Sequence, residues 1–232
     1  MTITDNSKKI GLTAESCGYI LLREHSMTVS VNDAVPITIV CTPLMLSELA
    51  AGRLLTEGYI SSAEEIQEIS ISDDGKNARI RICGSDETVP ENAALRTPVR
   101  PIAWEKEWIL ALDDEFKKDT PLHRATRSTH SAFLSRRGNI LCSVEDISRH
   151  NAVDKAIGHA LLNDIPLGEC ILFTTGRMPQ DMVRKAVMAG IPVLASRKLP
   201  TAEGLLLAKK YGVTLIGDVK NGDMTVFTNG GE

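Results

Sequence analysis

Apolar and polar residues alternate from 28 to 41 on either side of Asn32-Asp33, and this two-residue period broken by turn formers predicts a β-hairpin. Thr42-Pro43 then offers an N-cap and a first-turn proline, while Leu46, Leu49, Ala50 and Leu54 recur at helical spacing. A helix is therefore predicted from there to about Thr56, with Gly58 placed to end it. Residues 66–72 and 78–83 flank Asp73-Asp74-Gly75, a second hairpin signal. Residues 85–101 hold three prolines and no period, which predicts a linker.

From about residue 129 the pattern changes. Short apolar runs at 139–144, 170–174, 192–195 and 213–217 alternate with helical periodicity at 149–163, 179–189 and 201–211. Such β/α alternation predicts a largely parallel sheet covered on both faces, with functional loops at the carboxyl ends of the strands. A strand at 224–228, after the turn Asn221-Gly222-Asp223, would close the sheet. The expected organisation is an N-terminal α+β subdomain with its linker over 1–100, followed by an α/β domain over 101–232.

Each predicted strand of the second half delivers a polar loop to one edge. Glu145-Asp146-Ile147-Ser148-Arg149-His150-Asn151-Ala152-Val153-Asp154-Lys155 crosses from a strand into a helix, where unpaired N–H groups and the helix dipole attract anions. A surface helix capped by Ser148 fits the same residues. Thr174-Thr175-Gly176-Arg177 and Ala195-Ser196-Arg197-Lys198-Leu199-Pro200-Thr201 leave the next two strands, with Thr201 a candidate N-cap. Asp218-Val219-Lys220-Asn221-Gly222-Asp223 leaves the last, where a simple hairpin turn is an alternative. Together Arg149, Arg177 and Arg197 predict a cationic cleft suited to a polyanion such as a nucleotide. His130, in Thr126-Arg127-Ser128-Thr129-His130-Ser131-Ala132, is either a ligand contact, a base or a strand-entry residue.

Charge makes any basic site local: 26 basic against 30 acidic residues leave a net charge of −4, which provides no sequence-wide field for nucleic acid or membrane. No apolar run approaches the ~20 residues that span a bilayer, and the first residues lack a basic stretch followed by an apolar core. A cytoplasmic location is expected. Cys17, Cys41, Cys83, Cys142 and Cys170 form no C-x-x-C pair and no metal-ligand cluster, and Cys41, Cys142 and Cys170 sit in strand-like apolar runs as small hydrophobes. Zinc deaminases need H-x-E and P-C-x-x-C; this chain has His130-Ser131-Ala132 and no paired cysteines, so that chemistry and its zinc are excluded.

The stretch 145–155 resembles the R-E-D-I-G-R-H-N-A-V-D-K signature of the FdhD family of formate dehydrogenase accessory proteins. Thr175-Gly176-Arg177 is similar to the family's S-G-R, Lys185 through Ala189-Gly190-Ile191-Pro192 to its K-A-x-x-x-G-I-P, and Pro200-Thr201 to its P-T. Leu215-Ile216-Gly217 through Val226-Phe227-Thr228 resembles its ending, and residues 48–58 resemble its E-L-A-x-G-F-L-x-x-E-G. The resemblance covers nearly the whole chain. It implies an α/β, cytidine-deaminase-like mixed sheet with helices on both faces and a smaller α+β N-terminal subdomain, in a homodimer without zinc. It also implies binding of the guanine-dinucleotide form of molybdenum cofactor, mimicked by GDP or GMP, and transfer of persulfide sulfur from a cysteine desulfurase on behalf of formate dehydrogenase.

The candidate ligand-binding residues are His130, Arg149, His150, Asn151, Thr175, Gly176, Arg177, Ser196, Arg197, Thr201, Asp218, Lys220, Asn221 and Gly222. Two departures stand out. No cysteine lies between Cys83 and Cys142, where the family's C-x-x-C would fall, so the expected thiolate carrier is missing. Arg127 and Ser128 replace paired glycines that would let backbone approach a ligand. One reading is therefore a sulfurtransferase using an unusual cysteine or a partner's sulfur; the other is a cofactor-binding or delivery protein that carries none.

Overall fold

The computed structural model describes residues 1–5, 11–34, 36–83 and 98–230. In chain order its first half contains β1 (Thr2–Asp5), β2 (Thr13–Ser16), β3 (Tyr19–Leu22), β4 (His25–Val31), β5 (Ile37–Cys41), α1 (Leu46–Glu57), β6 (Ile66–Ile71) and β7 (Asn77–Ile82). The second half contains α2 (Lys106–Lys118), α3 (Pro121–Thr126), β8 (His130–Arg136), β9 (Asn139–Asp146), α4 (Arg149–Leu162), β10 (Ile171–Thr174), α5 (Gln180–Ala189), β11 (Val193–Ser196), α6 (Ala202–Tyr211), β12 (Thr214–Lys220) and β13 (Asp223–Thr228).

The first sheet has the order β1-β6-β7-β4-β5. Both expected hairpins are present: β4 pairs antiparallel with β5 across Asn32 and Asp33, which take left-handed φ of 46° and 58°, and β6 pairs antiparallel with β7. Helix α1 begins three residues later than Thr42 predicts, because the Thr42 hydroxyl donates to Asp146 at 3.0 Å and accepts from Lys155 Nζ at 2.8 Å instead of capping a helix. Gly58 ends α1 as expected, with φ of 86°. Of the expected linker, residues 85–97 lie outside the described residues.

The second sheet has the order β13-β12-β11-β10-β8-β9. The parallel expectation holds for β10, β11 and β12, and is corrected at both flanks: β8 runs antiparallel to β10 and β9, and β13 antiparallel to β12. Two hairpins therefore bracket a three-stranded parallel centre, and the fold is mixed α/β. One face is covered by α4 and α5, where Ala152, Val153, Ala156, Met182 and Val183 bury against Leu134, Leu172, Leu194 and Leu215. On the other, Ile109 and Leu112 of α2 pack on Phe133, Phe173, Val193 and Ile216.

Helix α1 of the first half lies on α4 of the second at near-backbone contact. A Cβ on Gly52 would stand 1.8 Å from the Asp154 carbonyl oxygen, and one on Gly158 1.8 Å from that of Glu48. Only glycine at both positions permits so close a crossing. The consequence is one continuous apolar core reaching from Met27 and Ile69 to Val183 and Leu215.

Candidate functional site

The stretch from Glu145 to Lys155 folds mostly inward. Asp146 ends β9 fully buried, and its Oδ2 accepts from Lys155 Nζ at 2.6 Å and from Thr42, while its Oδ1 accepts from the Ser148 N–H at 2.9 Å and from Asn151 Nδ2 at 3.0 Å. Lys155 Nζ donates in addition to the Thr42 carbonyl and hydroxyl, at 3.1 and 2.8 Å. Asn151 Nδ2 also reaches the Val40 carbonyl at 2.7 Å. An ion pair without solvent needs its remaining hydrogen-bonding capacity satisfied locally, and Thr42, at the end of β5, completes that requirement. The result joins the two sheets.

Two further acids of the stretch do the same. Asp154, fully buried, accepts from Lys185 Nζ at 2.8 and 2.9 Å and from Thr56 Oγ1 at 2.8 Å, joining α4, α5 and α1. Glu145 caps α3, accepting from the N–H groups of Leu122 and His123 at 2.9 and 2.6 Å and from the Thr129 hydroxyl at 3.0 Å. Arg149 and His150 remain at the outer start of α4, both partly exposed.

Above this frame the strand ends converge on one edge, as the β/α alternation predicts. Thr175 binds the backbone of Ser131 in both directions: its N–H donates to the Ser131 carbonyl at 3.0 Å and its hydroxyl accepts the Ser131 N–H at 2.9 Å. Ser196 Oγ donates to the Gly176 carbonyl at 2.6 Å and accepts the Lys198 N–H at 3.0 Å, fastening the loop after β11 to the loop after β10. Met178 and Pro200 pair as a parallel bridge alongside. Thr201 caps α6, its Oγ1 accepting the Gly204 N–H at 3.2 Å.

Two adjoining cavities open at this edge. One, of about 500 Å³, is lined by Phe116, His123, Arg127, Ser128, Thr129, His130, Thr175, Arg197 and Lys198. The next, of about 470 Å³, runs past Arg197 and Lys198 to Arg177, Thr201, Asp218 and Lys220. Arg127 takes a left-handed φ of 54° at the C-terminus of α3, a conformation glycine would adopt more easily, yet Arg127 and Ser128 line the first cavity without closing it. Arg149 and Thr201 border a third hollow beside Arg184 and Asp181.

Of the expected residues, His130, Thr175, Arg177, Arg197, Thr201, Asp218 and Lys220 face these cavities. Gly176 is buried against the Arg149 side chain, and His150 Nε2 stands 3.3 Å from Asp181 Oδ2. The structure does not bring Asn151, Ser196, Asn221 and Gly222 to the cavity walls: the first two turn their donors into the frame, and the last two form an exposed turn with φ of 53° and 79°. Phe116 and His123, with rings 5.3 Å apart, are wall residues absent from the sequence reading, and Lys198, expected in the loop after β11, lines both cavities with Arg197. Helical spacing of Trp108, Leu112 and Phe116 was the signal available for α2.

Arg149, Arg177 and Lys198 have no ion-pair partner among the described residues, whereas Arg197 pairs with Asp113 and Lys220 with Asp218, at 3.3 and 2.7 Å. The edge is thus cationic in a chain that is acidic overall. The field shows on His130, whose pKa is lowered first by burial and then by the Arg149 guanidinium. Burial likewise lowers that of His150, against the attraction of Asp181. Among the thiols, burial pushes Cys41 and Cys142 up to about 12 and Cys170 to about 11, while Cys17 and Cys83 are exposed.

The sequence model of the FdhD/NarQ family matches residues 22–232. "Sulfur carrier protein FdhD" of Bacillus subtilis is 29% identical over 231 residues, covering 90% of this chain and 88% of that protein. Its namesake in Methanothermobacter thermautotrophicus is 31% identical over 229 residues, with coverages of 90% and 89%. A crystal structure from Desulfotalea psychrophila, described as a formate dehydrogenase accessory protein, superimposes with a TM-score of 0.80 at 29% identity, over 93% of this chain and 94% of that one.

Proposed function

The chain belongs to the FdhD/NarQ family, and from that premise we propose that it is a formate dehydrogenase accessory protein that binds the guanine-dinucleotide form of molybdenum cofactor and supports its sulfuration. The observation that carries the reading is the double cavity at the sheet edge. Its outer part offers Arg177, Arg197, Lys198 and Lys220 to a pyrophosphate, and its inner part offers a purine nucleoside the Phe116 and His123 rings, the Thr175 hydroxyl as donor and the Ser128 and Thr129 hydroxyl oxygens as acceptors. Cavities of this size accept nucleotide-sized ligands. The donor set therefore fits the nucleotide portion of such a substrate, and GDP or GMP would serve as its mimic.

In this reading the protein works in the cytoplasm as a homodimer, receives sulfur from a cysteine desulfurase and hands the loaded cofactor to formate dehydrogenase. Sulfur carriage requires a thiolate that a partner can reach, and exposure leaves Cys17 and Cys83 for it. Attack by that thiolate on the desulfurase persulfide would move the terminal sulfur to this chain and release the desulfurase thiolate. A second reading, delivery of the cofactor without sulfur carriage, is favoured by the missing C-x-x-C.

One experiment separates the two. The protein is incubated with a cysteine desulfurase and cysteine, and persulfide is quantified by alkylation and mass spectrometry in the parent, Cys17→Ala and Cys83→Ala. Persulfide lost in one of these variants supports sulfur carriage and identifies its carrier. No persulfide on the parent leaves the delivery reading.

A further inference from the structure

We propose that Asp113, on α2, is the positioning residue that fixes Arg197 as the hinge between the two cavities, an inference resting on the nucleotide-binding reading above. Arg197 is the arginine common to both cavity walls, so it stands where a nucleoside would join its phosphates. Three contacts set its place. Its Nη1 lies 3.3 Å from Asp113 Oδ1, its guanidinium lies over the Phe116 ring at 4.7 Å from the centroid, and its backbone N–H donates to the Thr174 carbonyl at 3.3 Å. Asp113 and Phe116 come from consecutive turns of one helix, which turns a polar and an aromatic side chain toward the same guanidinium.

Asp113 is 1% exposed and neither of its oxygens has a hydrogen-bond partner among the described residues, so charge attraction to the cations beside it, Arg197 at 3.3 Å and Lys117 at 2.8 Å, is what offsets its burial. Arg197 is 26% exposed on its side chain, enough to present its remaining donors to the cavities. An arginine stacked on a ring and pinned by a carboxylate meets an anion without first losing side-chain freedom, which is the advantage of a preorganised site. Asp113 lines neither of the two cavities itself; it acts through Arg197.

The charge of Asp113 gives the test its sign. If Asp113 only subtracts positive field from the cleft, Asp113→Asn raises the net charge by one and tightens binding of a polyanion. If it positions Arg197, the same change weakens binding. GDP is titrated calorimetrically into the full chain, Asp113→Asn, Arg197→Ala and the double variant, with folding checked by thermal melting. Asp113→Asn is expected to weaken GDP about tenfold or more, and to add nothing once Arg197 is alanine. Arg197→Lys, which keeps the charge but loses the planar fork, serves should Asp113→Asn not fold, and is expected to weaken GDP by a similar factor. Tighter binding by Asp113→Asn, an equal loss in the Arg197→Ala background, or parent-like affinity of Arg197→Lys overturns the proposal while leaving nucleotide binding intact. Absence of GDP binding by the parent overturns the functional reading itself, and this inference with it.

Discussion

Gly176 lies directly against the stem of Arg149: a methyl group at Gly176 would stand 2.8 Å from Arg149 Cβ and 2.9 Å from its Cδ. The loop after β10 and the start of α4 are thereby set by one contact, and Arg149, without an ion-pair partner among the described residues, is aimed by backbone. Gly176→Ala is expected to destabilise the fold by about 1–3 kcal/mol through overpacking. Because the same loop carries Thr175 and Arg177 of the two cavity walls, GDP affinity should fall as well. Urea denaturation and GDP titration of this variant check both effects; unchanged affinity would show that the loop after β10 does not set the nucleotide site.

The buried lysines should differ in importance. With Lys185 replaced by Met, Asp154 keeps, among the described residues, the Thr56 hydroxyl at 2.8 Å with Arg53 at 4.0 Å, so the loss should be about 3–5 kcal/mol. With Lys155 replaced by Met, Asp146 still accepts from Thr42, Ser148 and Asn151, and the loss should be smaller. Denaturation midpoints of the two variants give the order, and a reversed order would contradict this account of the frame.

Gly52→Ala and Gly158→Ala each place a methyl group 1.8 Å from a backbone oxygen of the facing helix. Backbone cannot yield as a side-chain tip can, so α1 and α4 must separate. Each variant should lose about 3 kcal/mol or more. Thermal melts within a few tenths of a kcal/mol of the parent would mean that the helices cross elsewhere.

Acidity should act through His130. Its folded pKa lies below the ordinary 6.5 because burial and Arg149 disfavour the cation, so the unfolded chain binds the proton first. Stability is then full above that value and declines as pH falls from it toward the folded pKa. His130→Asn should flatten the slope seen in urea melts as pH falls below 6.5. A polyanion in the cleft opposes the Arg149 field, so GDP binding should take up protons, read from calorimetry in buffers of different ionisation enthalpy. Proton release would contradict the placement of the phosphates.

Much of the second half is legible in the sequence because strands buried on both faces read as short apolar runs, and residues 171–174 and 193–196 lie where periodicity puts them. Direction is less so: nothing in 139–144 says that β9 pairs back on β8. Helix α2 escapes notice because Glu105 and Asp119 bound it without the usual caps, and a buried aspartate interrupts its apolar stripe. At the site, Asp154 and Lys155 look like solvated residues of a surface helix. They are buried because Thr42, Thr56 and Lys185, 31 to 113 residues away, complete their hydrogen bonds. Spacing along one helix carries no information about such partners.

The cleft itself is tested most directly by a crystal structure of the protein with GDP. The expected result is the purine in the cavity lined by Phe116, His123 and His130 and the diphosphate beside Arg177, Arg197 and Lys220. A nucleotide bound away from the ends of β10, β11 and β12, or none at millimolar GDP, would contradict it.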